Sequence, residues 1–145
     1  MAGELRLRII TPESVKLDES CDMVIMRCTT GDIGILPRHE ACSAILDYGV
    51  LRILNDGQKE RHMAIFGGIV QVSNDEVTVL TNGAQWPEDI DRAMAEAEHE
   101  QAERRLQEAE DGVEMQKQQV SLRRTLVQIE VSSYPLLNTG DSGKQ

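Results

Sequence analysis

Aromatic residues are nearly absent from this chain of 145 residues. Phe, Tyr and Trp together make up 3% of it, at Tyr48, Phe66, Trp86 and Tyr134. Proteins that bind single-stranded nucleic acid stack the bases on aromatic side chains, so a stacking platform is excluded here. Basic residues are also in the minority, with 15 Lys and Arg against 25 Asp and Glu, and the net charge is -10. This balance argues against a nucleic-acid binder, whose affinity depends on neutralising phosphates.

Cysteine and long apolar runs are scarce as well. The three cysteines, Cys21, Cys28 and Cys42, are an odd number without the spacing of a disulfide framework, which favours free thiols in a reducing compartment. Nowhere do about 18 consecutive apolar residues occur, so no bilayer-spanning helix is predicted. The N-terminus lacks the apolar run of a signal peptide. We therefore expect a soluble, cytoplasmic protein.

Residues 1–86 have the pattern of short strands. Leu5 to Ile9 alternates strictly between apolar and charged residues, as a half-buried strand does. Two hairpins are predicted, because Asn55-Asp56-Gly57 and Ser73-Asn74-Asp75 supply residues that tolerate positive φ between apolar segments. Gly67-Gly68 indicates a bulge or a bend. Such closely spaced strands are typical of a sandwich or flattened barrel.

The period changes after Trp86. Pro87, followed by acidic residues that favour the positive end of a helix dipole, predicts a helix start. Its apolar stripe is thin and rich in alanine: Ile90, Met94, Ala97, Ala102, Leu106 and Ala109. Asp111-Gly112 is a break, and a second amphipathic helix is predicted to end before Pro135. Much of the chain's acidity lies here, since residues 88–111 carry ten acidic and three basic side chains.

The predicted fold class is thus β + α, with three segments. Residues 1–86 form a flattened β-sandwich or barrel, residues 87–134 an antiparallel helical hairpin, and residues 135–145 a flexible tail. Alanine faces bury little apolar area at ~25 cal/mol per Å². The hairpin is therefore expected to be marginal alone and able to detach.

Residues for chemistry are few. His39 and Cys42 could form a nucleophile–base pair, or a zinc site together with Cys21 and Cys28. Structural zinc prefers ligands two to four residues apart, so we predict neither a metal nor a cofactor. His62 is predicted on a strand surface and His99 on a solvated helix face. The sequence argues against an enzyme.

Five motifs in a row resemble the epsilon subunit of F-type ATP synthases, whose mitochondrial counterpart is called delta. The resemblance runs collinearly over about residues 5–130. The motifs are GDIGILPRH at 31–39, YGVLRI at 48–53, FGGIVQV at 66–72, VTVLT at 77–81, and DID at 89–91 with AERRL at 102–106.

This resemblance implies a non-catalytic rotor subunit. In the family, the sandwich docks beside the gamma subunit and on the polar loops of the membrane-embedded c-ring, and thereby couples ring rotation to the gamma shaft. The C-terminal helices can leave the sandwich, contact the alpha and beta subunits transiently, and suppress ATP hydrolysis. The implied location is the cytoplasmic face of the bacterial cell membrane, reached only through the complex.

The resemblance also assigns residues to surfaces. Thr30, Gly31 and Asp32 match the turn that faces the c-ring, and Thr11 and His39 match positions that face gamma. Arg38 stands where the family usually has glycine. If that position needs positive φ, arginine is expected to strain the loop.

The second helix carries two further assignments. Lys117, Arg123 and Arg124 offer positive charge for inhibitory contacts with an acidic partner. Some members bind ATP through an I-D-x-x-R-A motif, but here Ile90 and Asp91 are followed by Met94 at the arginine position. Gln101 and Gln128 replace further arginines and Arg124 remains, so we expect weak or absent ATP binding.

Two other classes of protein remain open at this point. One is a free-standing interaction module, which would have no rotor partner. The other is a hydrolase that uses the thiol of Cys42 or a metal held by it and His39.

Overall fold

The computed structural model describes residues 4–142, and the side chains of residues 4–134. The chain divides into two compact units between Ala84 and Gln85. Within the described range the strands are β1 (Leu5–Ile10), β2 (Val15–Cys21), β3 (Met23–Cys28), β4 (Gly31–Ile35), β5 (Cys42–Leu54), β6 (Arg61–Ser73), β7 (Glu76–Thr81) and β8 (Ala84–Gln85).

The strands are hydrogen-bonded in the order β2-β1-β7-β6-β5-β3-β4, and β8 pairs with β6. Neighbours are antiparallel except β1 and β7, which are parallel. The core is built by the inward positions of each strand: Leu5, Leu7 and Ile9 of β1 are at most 1% exposed, whereas Arg6 between them is exposed. The predicted sandwich and both predicted hairpins are confirmed.

The long strand β6 carries a glycine pair in its middle. The segments on either side of Gly67-Gly68 form one continuous strand, β6, rather than two. Gly67 and Gly68 have φ of +75° and +128°, and a Cβ on Gly68 would lie 2.0 Å from the carbonyl oxygen of Leu80. The hydroxyl of Thr81 donates to the Gly67 carbonyl at 2.5 Å. The bend predicted from the glycine pair is therefore a place where two backbones meet without room for a side chain.

His62 is buried, so its predicted position on the strand surface is wrong. It is 4% exposed, and its Nε2 lies 2.6 Å from Oε2 of Glu60. Arg52, which pairs with His62 across the β5–β6 ladder, binds the same carboxylate through two hydrogen bonds of 2.8 Å. Burial lowers the pKa of His62, and the Arg52 guanidinium lowers that of Glu60. A neutral imidazole is tolerated inside because this ion pair supplies its hydrogen-bond partner.

The second unit is an antiparallel helical hairpin. A 3-10 turn, Pro87–Asp89, precedes helix α1 (Arg92–Glu108), and helix α2 spans Gly112–Ser142. The side chain of Asp91 caps α1 by accepting the N–H of Met94 at 3.1 Å, and Asp111 caps α2 through the N–H of Glu114 at 2.7 Å. The predicted break at residues 111–112 is confirmed.

The buried face of α1 differs from the predicted stripe. Ala95 and Ala102 are buried, whereas Met94, a member of the predicted stripe, is 58% exposed. His99 is not solvated as predicted: its Nδ1 lies 2.9 Å from Oγ1 of the fully buried Thr125 on α2. The buried side chains of the hairpin are thus partly small and apolar, with Val127 and Val131 on α2, and partly polar.

Helix α2 also runs further than expected. It continues to Ser142, so the predicted end before Pro135 is wrong, and the helix takes in residues 135–142 of the segment predicted as a flexible tail. A proline inside a helix forgoes the hydrogen bond to the carbonyl four residues earlier, here that of Val131, and its ring crowds that carbonyl. The predicted tail residues 143–145 lie outside the described residues. Neither helix, over its described length, has the apolar character needed to cross a membrane.

We predict that Gly68→Ala lowers the free energy of unfolding by about 3 kcal/mol or more, because the methyl group would overlap the backbone of β7. Gly57→Ala is the matched control, since Gly57 also has positive φ (+74°) but faces open space. It should cost only about 1 kcal/mol of backbone strain. Urea titration followed by the β-sheet circular dichroism signal compares them, and equal losses would contradict the packing argument.

Candidate functional site

The turn assigned to the c-ring by resemblance is exposed and well anchored. Thr30, Gly31 and Asp32 follow β3 and open β4, and all three are exposed. The N–H of the preceding residue, Thr29, donates to the carbonyl of Ile45 on β5 at 3.0 Å. Gly31 adopts φ +126°, which glycine alone accepts readily. The turn therefore presents a carboxylate and a hydroxyl from a fixed backbone.

Asp32 is held in place by a neighbour across the hairpin. It pairs with Arg27 in the β3–β4 ladder, and its Oδ1 lies 3.7 Å from Nε of that arginine. Both side chains are largely exposed, so the pair contributes little to stability. Its effect is to orient the carboxylate along the hairpin.

Thr11, assigned to gamma, is buried rather than presented. It is 5% exposed, and its N–H and hydroxyl both donate to the carbonyl of Ser14, at 2.9 and 3.1 Å. The hydroxyl also lies 3.3 Å from the N–H of Ser14. Thr11 thus closes the turn between β1 and β2. Together with its neighbours it lines an open groove of about 320 Å³, whose other residues are Ile10, Pro12, Leu80, Thr81 and Asn82.

His39 lies in the loop of residues 36–41 between β4 and β5. Its Nδ1 is 2.8 Å from the carbonyl oxygen of Glu40, so Nδ1 carries the proton and Nε2 is the nitrogen left for other contacts. Arg38 beside it has φ +67°, the left-handed conformation that a family glycine would favour. The expected strain at Arg38 is therefore present.

The structure does not bring Thr11 and His39 together. Thr11 follows the end of β1, whereas the loop of His39 lies beside the beginning of β1, where Asp75 accepts hydrogen bonds from both Arg6 and Arg38. The two ends of β1 are five residue steps apart, which corresponds to about 16 Å along the strand. They mark two distant points of the sandwich surface.

An exposed apolar row, which the sequence reasoning missed, crosses the outer face of the sheet. Ile10 on β1 is paired with Leu80 on β7, Leu80 with Ile69 on β6, and Ile69 with Ile45 on β5. Val15 on β2 continues the row beside Ile10. The exposed fractions are 59% for Val15, 39% for Leu80, 39% for Ile69 and 61% for Ile45. Directly paired residues share one face, so these five side chains form a continuous surface, here called the apolar row.

A signal for the apolar row was present in the sequence. The outward positions of β1 read Arg6, Arg8, Ile10, and those of β7 read Glu76, Thr78, Leu80. Polar outward residues change to apolar at one end of each strand. Only the register between strands shows that these ends are adjacent.

In the helical unit, Ile90 and Asp91 line a small cavity of about 150 Å³. Its other lining residues are Gln85, Asp89, Met94, Ala95, Glu98 and Gln128. Arg124 is not part of this lining; its guanidinium lies 3.7 Å from the carboxylate of Glu98. The candidate nucleotide residues are thus only partly brought together.

The candidate inhibitory residues Lys117, Arg123 and Arg124 are all exposed on α2. Lys117 and Arg124 are seven residues apart and therefore lie on the same side of the helix, with Arg123 about 100° away. They form a broad positive surface rather than a single point of contact.

All three cysteines are free thiols, two of them, Cys21 and Cys28, buried and the third, Cys42, partly buried. Burial raises the pKa of Cys21 to about 11 and also raises that of Cys28, which disfavours the reactive thiolate. No cluster of three potential metal ligands occurs among the residues that the structure describes.

Family comparisons agree with the two-unit organisation. Residues 4–87 match the beta-sandwich domain of the ATP synthase delta/epsilon chain, and residues 88–133 match its long alpha-helix domain. The chain is similar to the ATP synthase epsilon chain of Caldicellulosiruptor bescii, with 34% identity over 90% of this chain and 94% of the relative. It is 38% identical to that of Syntrophobacter fumaroxidans, over 91% and 98% of the two chains.

Solved structures share the fold. A chain of the Euglena gracilis mitochondrial ATP synthase, from a structure of OSCP, F1 and the c-ring, superposes with a TM-score of 0.77 at 23% identity, over 90% of this chain and 81% of that one. A chain from the central stalk and c-ring of the Tetrahymena thermophila enzyme gives 0.57 at 14% identity, over 88% and 98%. With both domains matched in order and relatives similar over nearly their full length, the chain belongs to the ATP synthase delta/epsilon chain family, as an epsilon subunit of the F-type enzyme.

Proposed function

We propose that this subunit is a non-catalytic part of the rotor, which couples rotation of the c-ring to the gamma shaft. It would reach the membrane only through the complex, on the cytoplasmic face of a bacterial cell. The observation that carries the proposal is the apolar row, with the turn of residues 30–32 near one end of it.

The apolar row has the character of a protein-binding surface. Scattered apolar side chains are normal on a soluble protein, but a contiguous patch rimmed by polar residues indicates an interaction site. Here the rim is formed by Thr78 and Gln71, the next outward positions on β7 and β6. Covering four or five aliphatic side chains would remove several hundred Å² of apolar surface from water, which suits a lasting partner such as gamma.

The turn of residues 30–32 lies close to the Ile45 end of the apolar row, because Thr29 is hydrogen-bonded to Ile45. Its exposed groups are polar and one is anionic, which suits the polar loops of the c-ring rather than an apolar partner. Two adjoining surfaces of different chemistry support simultaneous contact with two partners. This is what a coupling subunit requires.

We predict that the double variant Ile69→Ser/Leu80→Ser weakens binding to gamma by about tenfold for each side chain, since each loses roughly 1.4 kcal/mol of apolar burial. Affinity is measured with purified gamma by calorimetry, and assembly by co-purification of gamma and the c-ring with the tagged chain. The matched control is Leu126→Ser, which changes a leucine of greater exposure (57%) on α2. Unchanged affinity of the double variant, or a chain that brings down no rotor subunit, would contradict the proposal and favour a free-standing module.

The cavity beside Ile90 and Asp91 is poorly suited to ATP. Its volume is about half of the lower limit of typical ligand pockets, roughly 300 Å³. Three of its lining residues, Asp89, Asp91 and Glu98, carry carboxylates that repel phosphates. Met94 and Gln128 supply no positive charge. We therefore propose that nucleotide does not regulate this subunit through the helical hairpin.

Calorimetric titration of the full chain with ATP is expected to give no saturable heat at micromolar concentrations. The variant Met94→Arg/Gln128→Arg, which adds two guanidinium groups at the cavity, should show measurable binding. Met94→Lys/Gln128→Lys adds the same charge without the planar fork, and serves as the control. Micromolar affinity of the unaltered chain would refute this prediction.

A regulatory role that does not involve nucleotide is proposed for α2. Its basic residues Lys117, Arg123 and Arg124 are positioned to pair with acidic groups of the alpha or beta subunits once the two helices separate. The buried apolar side chains of the two helices are small, Ala95 and Ala102 on α1 and Val127 and Val131 on α2, and polar contacts lie beside them, so opening the hairpin exposes a limited apolar area. This low cost supports an element with two conformations.

Deletion of residues from Val113 onward is therefore expected to raise ATP hydrolysis severalfold in the assembled enzyme, measured with a coupled assay. Substitution of Lys117, Arg123 and Arg124 by alanine should also raise ATP hydrolysis. Alanine at the exposed Gln116, Gln119 and Glu130 should leave it unchanged. Normal assembly with unchanged hydrolysis in both the deletion and the triple variant would rule out inhibition by α2.

A further inference from the structure

Two loops meet at the beginning of β1, and Asp75 joins them. Its carbonyl oxygen accepts the N–H of Arg6 at 2.8 Å, which ties it to β1. Its carboxylate Oδ1 accepts the N–H of Arg38 at 2.6 Å, which ties it to the loop of residues 36–41. Asp75 and Arg38 are 37 positions apart in the chain. Asp75 is thus bonded through its main chain on one side and through its side chain on the other.

The hydrogen bond to Arg38 is made at the strained point of that loop. Arg38 has φ +67°, a conformation that a residue with a long side chain adopts only when its surroundings enforce it. Within the loop, the N–H of His39 donates to the carbonyl of Leu36 at 3.2 Å, a long bond. The shorter bond from a carboxylate, which is charge-assisted, is the stronger restraint on the loop.

Asp75 is itself suited to this position. It follows Asn74 in the two-residue turn between β6 and β7, and both residues have positive φ, +52° and +62°. Asp and Asn are the residues other than glycine that tolerate this conformation best. Of the residues that fit the turn, aspartate also supplies a charged acceptor. The turn of one hairpin therefore provides the clamp for another loop.

We propose that Asp75 is a positioning residue: it holds Arg38 in the left-handed conformation and thereby fixes the direction in which His39 faces a partner. The first half of this inference concerns the chain alone. The second half rests on the proposed docking to gamma. It also explains how arginine is tolerated where the family resemblance leads one to expect glycine.

The first test uses the full chain and the exchange rate of its backbone amides, measured by NMR. Asp75→Gly keeps the positive φ of the turn and removes the acceptor. We expect amide exchange of Arg38 to accelerate at least about tenfold, while that of Arg6, bonded to the main chain of residue 75, stays as in the unaltered protein. Asp75→Asn retains an acceptor without the charge and should be intermediate. Unchanged protection of Arg38 in Asp75→Gly would overturn the proposal.

The second test measures affinity for purified gamma. Asp75→Gly should weaken binding about tenfold, and Arg38→Gly in the same background should restore most of it, because glycine adopts this φ without a clamp. A merely structural loss of stability would not be rescued in this way. Faster exchange at Arg38 with unchanged gamma affinity would overturn the presentation of His39. The Ile69/Leu80 double variant independently tests docking itself.

Discussion

The sandwich depends on the close approach of two backbones at Gly68. There the strand β6 passes so near the carbonyl of Leu80 that no side chain fits between them. This contact lets β6 change direction while it stays paired with β5 before and after the bend, whereas β7 pairs with the half from Gly68 to Ser73. Because pairing continues through the bend, the register on both sides is fixed. The position of every outward side chain on these strands follows from that register.

The apolar row is one consequence of this register. Ile69 comes immediately after Gly68, where the ladder with β7 begins, and is paired with Leu80 on one side and with Ile45 on the other. Toward the other end of β1, the outward residues pair as ions instead: Arg6 with Asp18 at 2.7 Å, and Arg8 with Glu76. Such exposed pairs add little stability, but they keep that part of the surface solvated. The outer face of the sheet is thus divided into a solvated half with ion pairs and an apolar half whose burial against a partner would be favourable.

Much of the sandwich could be predicted from local patterns. The alternation of apolar and charged residues predicts β1. The turn residues at 55–57 and 73–75 predict the two hairpins, because tolerance of positive φ is a property of single residues. The strained Arg38 could be anticipated in the same way, from a glycine position in the resembled family.

What depends on pairing between distant segments could not be predicted. His62 looks like a surface residue in sequence, and only the neighbouring Arg52–Glu60 pair allows it to be buried. The clamp by Asp75 joins residues 37 positions apart, and the apolar row joins five strands. The buried face of α1 is a similar case: Ala95 is buried and Met94 is exposed, and which of two adjacent residues faces inward depends on what the helix packs against. In each case the missing information was which segments become neighbours.

The helical hairpin shows how geometry can be well defined where stability is low. It buries alanines and valines, small side chains that add a modest free energy, but it also places Thr125 against His99 at 2.9 Å. A hydrogen bond across a seam adds little net stability, and the Thr125 hydroxyl also donates to the carbonyl of Ser121 within α2 at 2.9 Å. A misaligned seam would instead take this partner away from Nδ1 of the partly buried His99. Polar contacts therefore select one alignment of α1 and α2 without holding the helices firmly together. An element built in this way returns to the same closed form each time it opens, which is what reversible inhibition by α2 would need.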